Sequence, residues 1–282
     1  MKLPLQVDLS GKVAVVTGAG GVLCSMFAKA LALSGAKVAL LDINLEAAEG
    51  YAAEIRELGG NARAYKANVL DKEALEEVHT AVAADLGLCD ILLNGAGGNN
   101  PRATTSKEFY EEGDIDRTDI TTFFNLEKAG IEFVFSLNFM GTVLPTQVFA
   151  RDMIGRPGCN IVNISSMSAF TPLTKTIAYS AAKAGISNFT QWLATHFAKE
   201  GIRVNAFAPG FLVTNQNRAL LFNEDGTPTP RTGKILNHTP FGRFGDESEL
   251  VGALLFLLCN EASSFITGTV LPIDGGFSAI TI

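Results

Sequence analysis

Apolar and polar positions along the first hundred residues follow two alternating rhythms. Short apolar runs at 12–18, 37–42, 62–69 and 90–97 read as strands, and helical patterns occupy about 22–34, 45–58 and 72–86 between them. This β-α-β-α succession predicts a parallel sheet with helices on both faces. It resumes with a helix near 125–155, a strand at 159–165, a helix at 177–199, a strand at 202–209, a helix at 247–259 and a last strand near 268–273. The expected fold is therefore a doubly wound α/β sheet of about seven strands. Two irregular stretches, about 98–122 and 210–246, follow the C-terminal ends of strands, where open α/β sheets bind ligands. Loops of that length are usually functional or disordered. No repeat, low-complexity segment or linker divides the chain, so residues 1–282 read as one domain.

At 282 residues such a domain has room for a substantial core. Apolar residues at 47% and charged residues at 18% are the ordinary balance of a soluble globular enzyme. A net charge of −7 and a pI near 5.1 argue against nucleic acid or an anionic membrane as partner. An anionic small molecule stays open, because a few local cations would hold it. Cys24, Cys89, Cys159 and Cys259 stand far apart in or beside apolar segments, as buried thiols do and disulfides or metal ligands do not. The first residues are too polar for a signal peptide, and no apolar run approaches the ~20 residues of a membrane span. A cytoplasmic, reduced setting is expected.

Between the first strand and the first helix lies a glycine-rich turn, Thr17-Gly18-Ala19-Gly20-Gly21. Glycines let the backbone approach a pyrophosphate, and the helix start offers unpaired N–H groups and a positive dipole end. Asp42 closes the second strand 24 residues after Gly18, close to the ~20 expected of an acid that binds the adenosine ribose hydroxyls. A carboxylate there repels a 2′-phosphate, and neighbouring Leu41, Ile43 and Asn44 supply no cation to hold one. NAD(H) is expected in preference to NADP(H).

Further along, Tyr179 follows Ser166 by 13 residues and Lys183 follows Tyr179 by four. If a helix starts near Ile177, Tyr179 and Lys183 lie one turn apart on one face. A phenol with its ordinary pKa of about 10 is a poor base at neutral pH, and a nearby ammonium is expected to lower that value. Ser166 ends a strand-like run and can reach the same point. A hydroxyl donor, a tunable phenol and a fixed cation make a proton-transfer site for an alcohol or ketone. The competing explanation is a chance Tyr-x-x-x-Lys pair on a helix surface, and the nucleotide turn upstream weighs against it.

Taken in order, these pieces resemble the short-chain dehydrogenase/reductase family over nearly the whole chain. Thr17-Gly18 with Gly20 and Gly21 is similar to its nucleotide turn, with Val22 and Leu23 beside it among the expected cofactor contacts. Asn68-Val69 stands where the family has Asp-Val beside the adenine. Asn94-Gly95-Ala96-Gly97 resembles the family's Asn-Asn-Ala-Gly, and Asn138 its structural, proton-relaying asparagine. Ser166, Tyr179 and Lys183 match the catalytic set, and the segment from Ala208 through Pro209 and Gly210 to Thr214 resembles the one that touches the nicotinamide amide. The resemblance implies a Rossmann-type fold and an NAD-dependent oxidoreductase acting on a CH–OH group. In it Tyr179 is the general acid or base, Ser166 donates to the substrate oxygen, Lys183 holds the nicotinamide ribose and Asn138 leads to a water chain. It also implies a homodimer or homotetramer built through helices 125–155 and 177–199.

There are departures. The family turn reads Thr-Gly-x-x-x-Gly-x-Gly, and counting back from Gly35 puts Val22 and Cys24 at its last two glycine positions. Gly20 and Gly21 are expected to supply the flexibility, and Cys24 to be small enough for helix-on-strand packing. The stretch from Gly97 to Asn138 is longer than is usual in the family. With the segments at 97–105, 170–176, 209–221 and 238–245 it resembles the D-mannonate oxidoreductase (fructuronate reductase) branch. The expected reaction interconverts a sugar acid and its keto form, D-mannonate and D-fructuronate. Alternatives are another polyol or sugar-acid dehydrogenase, such as a gluconate 5-dehydrogenase, or a protein that senses NAD without turnover.

A sugar acid needs cations and hydroxyl partners at the mouth of the site. Arg102, Lys175 and Arg218 lie in three loops expected to line it, and Asn99, Asn100, Asn215 and Gln216 are the expected partners of sugar hydroxyls. His79 and His196 fall within helices and read as structural, while His238 lies in the second long loop; no His/Cys/carboxylate cluster suggests a metal. Ser180-x-x-Lys183 lacks the partner motifs of penicillin-recognising enzymes. Phe123, Phe124, Phe133 and Phe135 read as core or interface residues.

Overall fold

Five successive buried residues make β1 (Val13–Thr17) a strand covered on both faces. In the computed structural model, which describes residues 7–213 and 218–280, it is an interior strand, third in order, of one seven-stranded sheet. The other strands are β2 (Lys37–Asp42), β3 (Asn61–Lys66), β4 (Ile91–Asn94), β5 (Asn160–Ile164), β6 (Arg203–Pro209) and β7 (Val270–Ile273). All pairs are parallel, in the order β3-β2-β1-β4-β5-β6-β7. The main helices are α1 (Val22–Leu33), α2 (Leu45–Glu57), α3 (Lys72–Asp85), α4 (Lys128–Met153), α5 (Ile177–His196), α6 (Pro230–Asn237) and α7 (Val251–Leu258). Side-chain caps set the starts of α2 and α3, as of α6 below: Asn44 accepts from the Ala47 N–H at 3.2 Å and Asp71 from the Ala74 N–H at 3.0 Å.

The strand period of two divides β1 between two cores. Ala14 and Val16 join Phe27 and Leu31 of α1, Ile55 of α2 and Leu254 of α7. Val13 and Val15 join Leu75 of α3, Phe149 of α4 and Leu193 of α5 on the opposite face. Each large side chain buried in this way contributes roughly 1.5–3 kcal/mol. All four cysteines are buried.

Three regions differ from the sequence expectation. Helix α4 is continuous but uneven: α-helical over Lys128–Phe135, π over Ser136–Met140, and α-helical again over Gly141–Phe149. By length and composition it could cross a membrane, although no run of that kind was expected; half of its apolar window is buried against the rest of the molecule, as in a core helix. The stretch 210–246 is not wholly irregular, because Pro230 at the first helical position and the Thr229 cap start α6. Phe123, Phe124, Phe133 and Phe135 are exposed, so none belongs to the core: the first two sit in a surface loop and the others on the outer face of α4.

β1 and β4 are neighbours in the sheet, yet the chain continues from them toward opposite edges. The crevice this opens at their C-terminal ends is where such sheets bind ligands.

Candidate active site

A cavity of about 670 Å³ occupies that crevice, within the usual range for small-molecule sites. Gly18, Gly20, Gly21, Val22, Leu23, Asp42, Asn68 and Val69 line one end; Gly95, Ala96, Gly97, Ser166, Tyr179, Lys183, Pro209 and Gly210 line the rest. Gly18 has φ +70°, and a Cβ there would stand 2.9 Å from the Ala96 backbone, so only glycine lets the turn close on β4. The Gly20 N–H donates to Asp42 Oδ2 at 2.9 Å and the Asn44 N–H to Oδ1 at 2.8 Å, which fixes the carboxylate over the turn. Gly21 precedes α1 with no side-chain cap, leaving the first-turn N–H groups facing the crevice for an anion. These features fit a dinucleotide.

Thr17 and Asn94 brace the wall from behind and do not line it. Thr17 Oγ1 accepts from the Gly95 and Ala96 N–H groups at 3.1 and 3.3 Å. Asn94 Nδ2 donates to Thr146 Oγ1 and Asn163 Oδ1, both at 2.9 Å, tying β4 to α4 and β5.

At the other end Ser166 follows β5, while Tyr179 and Lys183 project from the first turns of α5. Ser166 Oγ accepts from the backbone N–H and the hydroxyl of Ser168 at 3.2 and 3.0 Å, and Ser166 also shares a hydrogen bond with Tyr179. Lys183 Nζ donates to the Ile164 carbonyl at 2.9 Å and lies 5.6 Å from the centre of the Tyr179 ring. Burial pulls the ammonium down to about 8. Tyr179 corrects the sequence reading: burial pushes the phenol above its ordinary value, and the bond with Ser166 only partly offsets this. The i, i+4 spacing had suggested a lowered phenol, but it does not register how much water the fold removes.

Asn138 sits in the π segment of α4, fully buried and just outside the cavity lining. Its amide accepts from the Gly98 N–H at 3.2 Å and donates to the Gly98 and Val134 carbonyls at 2.7 and 2.8 Å. A Cβ on Gly97 would lie 2.7 Å from Asn138 Oδ1 and 3.3 Å from Lys183 Nζ, so both groups close on this glycine.

The expected substrate contacts lie farther out. Arg102 pairs with Glu127 at 3.3 Å, Lys175 Nζ donates to the Ser106 carbonyl at 2.7 Å, and Asn99 and Asn100 bond within their own loop. None of the four lines the cavity. Arg218 lies over Phe222 at 5.5 Å, and Thr214, Asn215 and Gln216 fall outside the described residues. His79 pairs with Asp152 at 2.8 Å and His196 stacks on Trp192 at 4.7 Å, both structural contacts. His238 is exposed and does not line the cavity. Sequence reasoning passed over Gly98, Leu137, Ser168, Phe211 and Leu212. The last two directly follow Pro209-Gly210 at the end of β6, a signal that was available; Gly98 and Leu137 meet only where the end of β4 packs on α4, and Ser168 enters through its bonds to Ser166 two residues earlier.

Residues 12–224 match the family model of the short chain dehydrogenases. The chain belongs to this family. It is accordingly an oxidoreductase acting on a CH–OH group. Among short chain dehydrogenases it is 60% identical to an uncharacterized oxidoreductase of Haemophilus influenzae over 99% of this chain and 97% of the relative. It is 48% identical to the uncharacterized oxidoreductase UxuB of Bacillus subtilis over 98% of each. A crystal structure of a Haemophilus influenza protein, provisionally described as a D-mannonate oxidoreductase and holding bound NAD, superposes with a TM-score of 0.94 at 60% identity over 97% of both chains.

Proposed function

We propose that this chain is an NAD(H)-dependent oxidoreductase that interconverts D-mannonate and D-fructuronate. One observation carries the chemistry: a single cavity has the Gly18–Asp42 turn at one end and Ser166, Tyr179 and Lys183 at the other. Similarity to the Haemophilus protein, with the long stretch between Gly97 and Asn138, supports the sugar-acid substrate. The Asp42 carboxylate, unaccompanied by a neighbouring cation, supports NAD(H) over NADP(H).

Gly18, Gly20, Gly21 and the start of α1 would hold the pyrophosphate, Asp42 the adenosine ribose, and Lys183 the nicotinamide ribose. The dinucleotide supplies the hydride chemistry. Ser166 donates to the substrate oxygen, stabilising charge that develops there. Tyr179 gives its proton to that oxygen during reduction and takes it back during oxidation. Lys183 keeps positive charge beside the phenol, and Asn138 orders the backbone behind both through Gly98. At least one of Arg102, Lys175 and Arg218 holds the substrate carboxylate. Arg218 is the best candidate, since its guanidinium lies over the Phe222 ring, whereas Arg102 is held by Glu127 and Lys175 by the Ser106 carbonyl. The exposed Phe133, Phe135 and Met140 of α4 and Trp192 of α5 support a homodimer or homotetramer through these helices.

The test is NADH-dependent reduction of fructuronate against 5-ketogluconate, tagaturonate and simple ketones, repeated with NADPH. Fructuronate with NADH should give the highest kcat/KM. A higher value with 5-ketogluconate would move the assignment to the gluconate dehydrogenases. Unchanged KM for fructuronate in Arg102→Ala, Lys175→Ala and Arg218→Ala would remove all three from carboxylate binding.

A further inference from the structure

We propose that Cys24 and Gly95 form a size-matched pair that positions the floor of the nucleotide site, each tolerated because of the other. Cys24 lies in the first turn of α1, is buried, and lines the cavity. A Cβ built on Gly95 would stand 2.1 Å from Cys24 Sγ, and 3.1 Å from both Ile164 Cδ1 and the Thr17 carbonyl. Non-bonded heavy atoms ordinarily meet at about 3.5–4.0 Å, so the thiol already fills the space of a side chain at position 95. Burial pushes the Cys24 thiol up to about 12, so it acts here as a neutral packing group.

These are also two of the positions where the chain departs from the patterns it otherwise matches. Position 24 holds cysteine where the turn has glycine, and position 95 holds glycine where the Asn-Asn-Ala-Gly motif has asparagine. They are 71 residues apart, and the fold brings them into contact. What α1 gained in volume, the end of β4 lost.

The clearance matters because Gly95 has nowhere else to go. The Gly95 and Ala96 N–H groups are tied to Thr17 Oγ1, and two residues on Gly97 abuts Asn138 and Lys183. A Cβ at position 95 would push this segment into the cavity or onto those groups. The inference rests on the nucleotide reading of the cavity, and NADH itself is the probe.

NADH dissociation constants and nucleotide-free Tm are measured for wild type, Cys24→Ala, Gly95→Ala and the double variant. Gly95→Ala should weaken NADH binding tenfold or more, Cys24→Ala by less than threefold. The double variant should return to within threefold of Cys24→Ala, a coupling that independent sites do not show. Recovery of Tm without recovery of NADH affinity would reduce the pair to ordinary packing and overturn the proposal. A double variant as weak as Gly95→Ala, or an unaffected Gly95→Ala, would overturn it too. If Gly95→Ala alone does not fold, a double variant that folds and binds NADH supports the pairing, and one that fails refutes it. Wild-type protein that did not bind NADH would instead sink the nucleotide reading beneath it.

Discussion

Lys183→Met probes what the fold sacrifices to keep an ammonium beside the phenol. Lys183 is 4% exposed, and burial lowers its pKa from 10.5 to about 8. At about 1.36 kcal/mol for each tenfold change, that gap is worth ~3 kcal/mol. Below pH 8 the folded protein carries a buried ammonium that the unfolded chain solvates freely, so the whole penalty is present. Between pH 8 and 10.5 the folded state has shed the proton while the unfolded state still holds it, and stability climbs with pH. Above 10.5 the penalty is gone. Methionine never bears it but leaves the Ile164 carbonyl without its 2.9 Å donor, at a cost of about 1–3 kcal/mol. At pH 7 the variant should therefore match or exceed wild type by up to ~2 kcal/mol while losing activity. The assay is urea unfolding of nucleotide-free protein, followed by circular dichroism from pH 7 to 10.5. Subtracting the variant removes every titration the two share, and wild type should gain ~3 kcal/mol on it across that window. Parallel stability curves would refute the buried-ammonium account.

Tyr179→Phe keeps the ring and removes the hydroxyl, so kcat should fall by about 10²–10⁴ while NADH affinity changes less than threefold. A variant retaining more than a tenth of wild-type turnover would contradict the assigned proton transfer. Asp42→Ala removes the acceptor of two backbone N–H groups and the charge facing a 2′-phosphate. In steady-state kinetics KM for NADH should rise roughly tenfold and the NADH/NADPH preference narrow; an unchanged preference would clear Asp42 of cofactor discrimination. Asn138→Ala strands the buried Gly98 and Val134 backbone groups, costing about 2–4 kcal/mol, and should lower Tm by several degrees. An unaltered Tm would mean that water takes the place of the amide.

Much of this molecule could be read from local pattern. The apolar runs located all seven strands to within a few residues: β1, β2, β4, β5 and β6 are buried on both faces and nearly continuous in apolar residues, while the edge strands β3 and β7, only partly buried, were placed by the alternation with helices. The helix start at Ile177 and the acid closing β2 were legible too, from the i, i+4 pair and the spacing after the glycine turn, and the order of the motifs carried the family. The π segment around Asn138 was not, since it reflects a bond to Gly98 forty residues away. Helix α6 was missed because its signal was a cap and a proline amid polar loop residues.

By itself, then, the sequence determined the sheet, its order of elements, and which residue types reach the C-terminal ends of β1, β4, β5 and β6. Tertiary structure alone decided the energetics there. It placed Lys183 and Tyr179 where desolvation outweighs their spacing, turned Arg102 and Lys175 toward Glu127 and Ser106, and set Cys24 against Gly95. Periodicity records which face of an element is apolar. Water exclusion and contact distance arise only when distant elements close on one another.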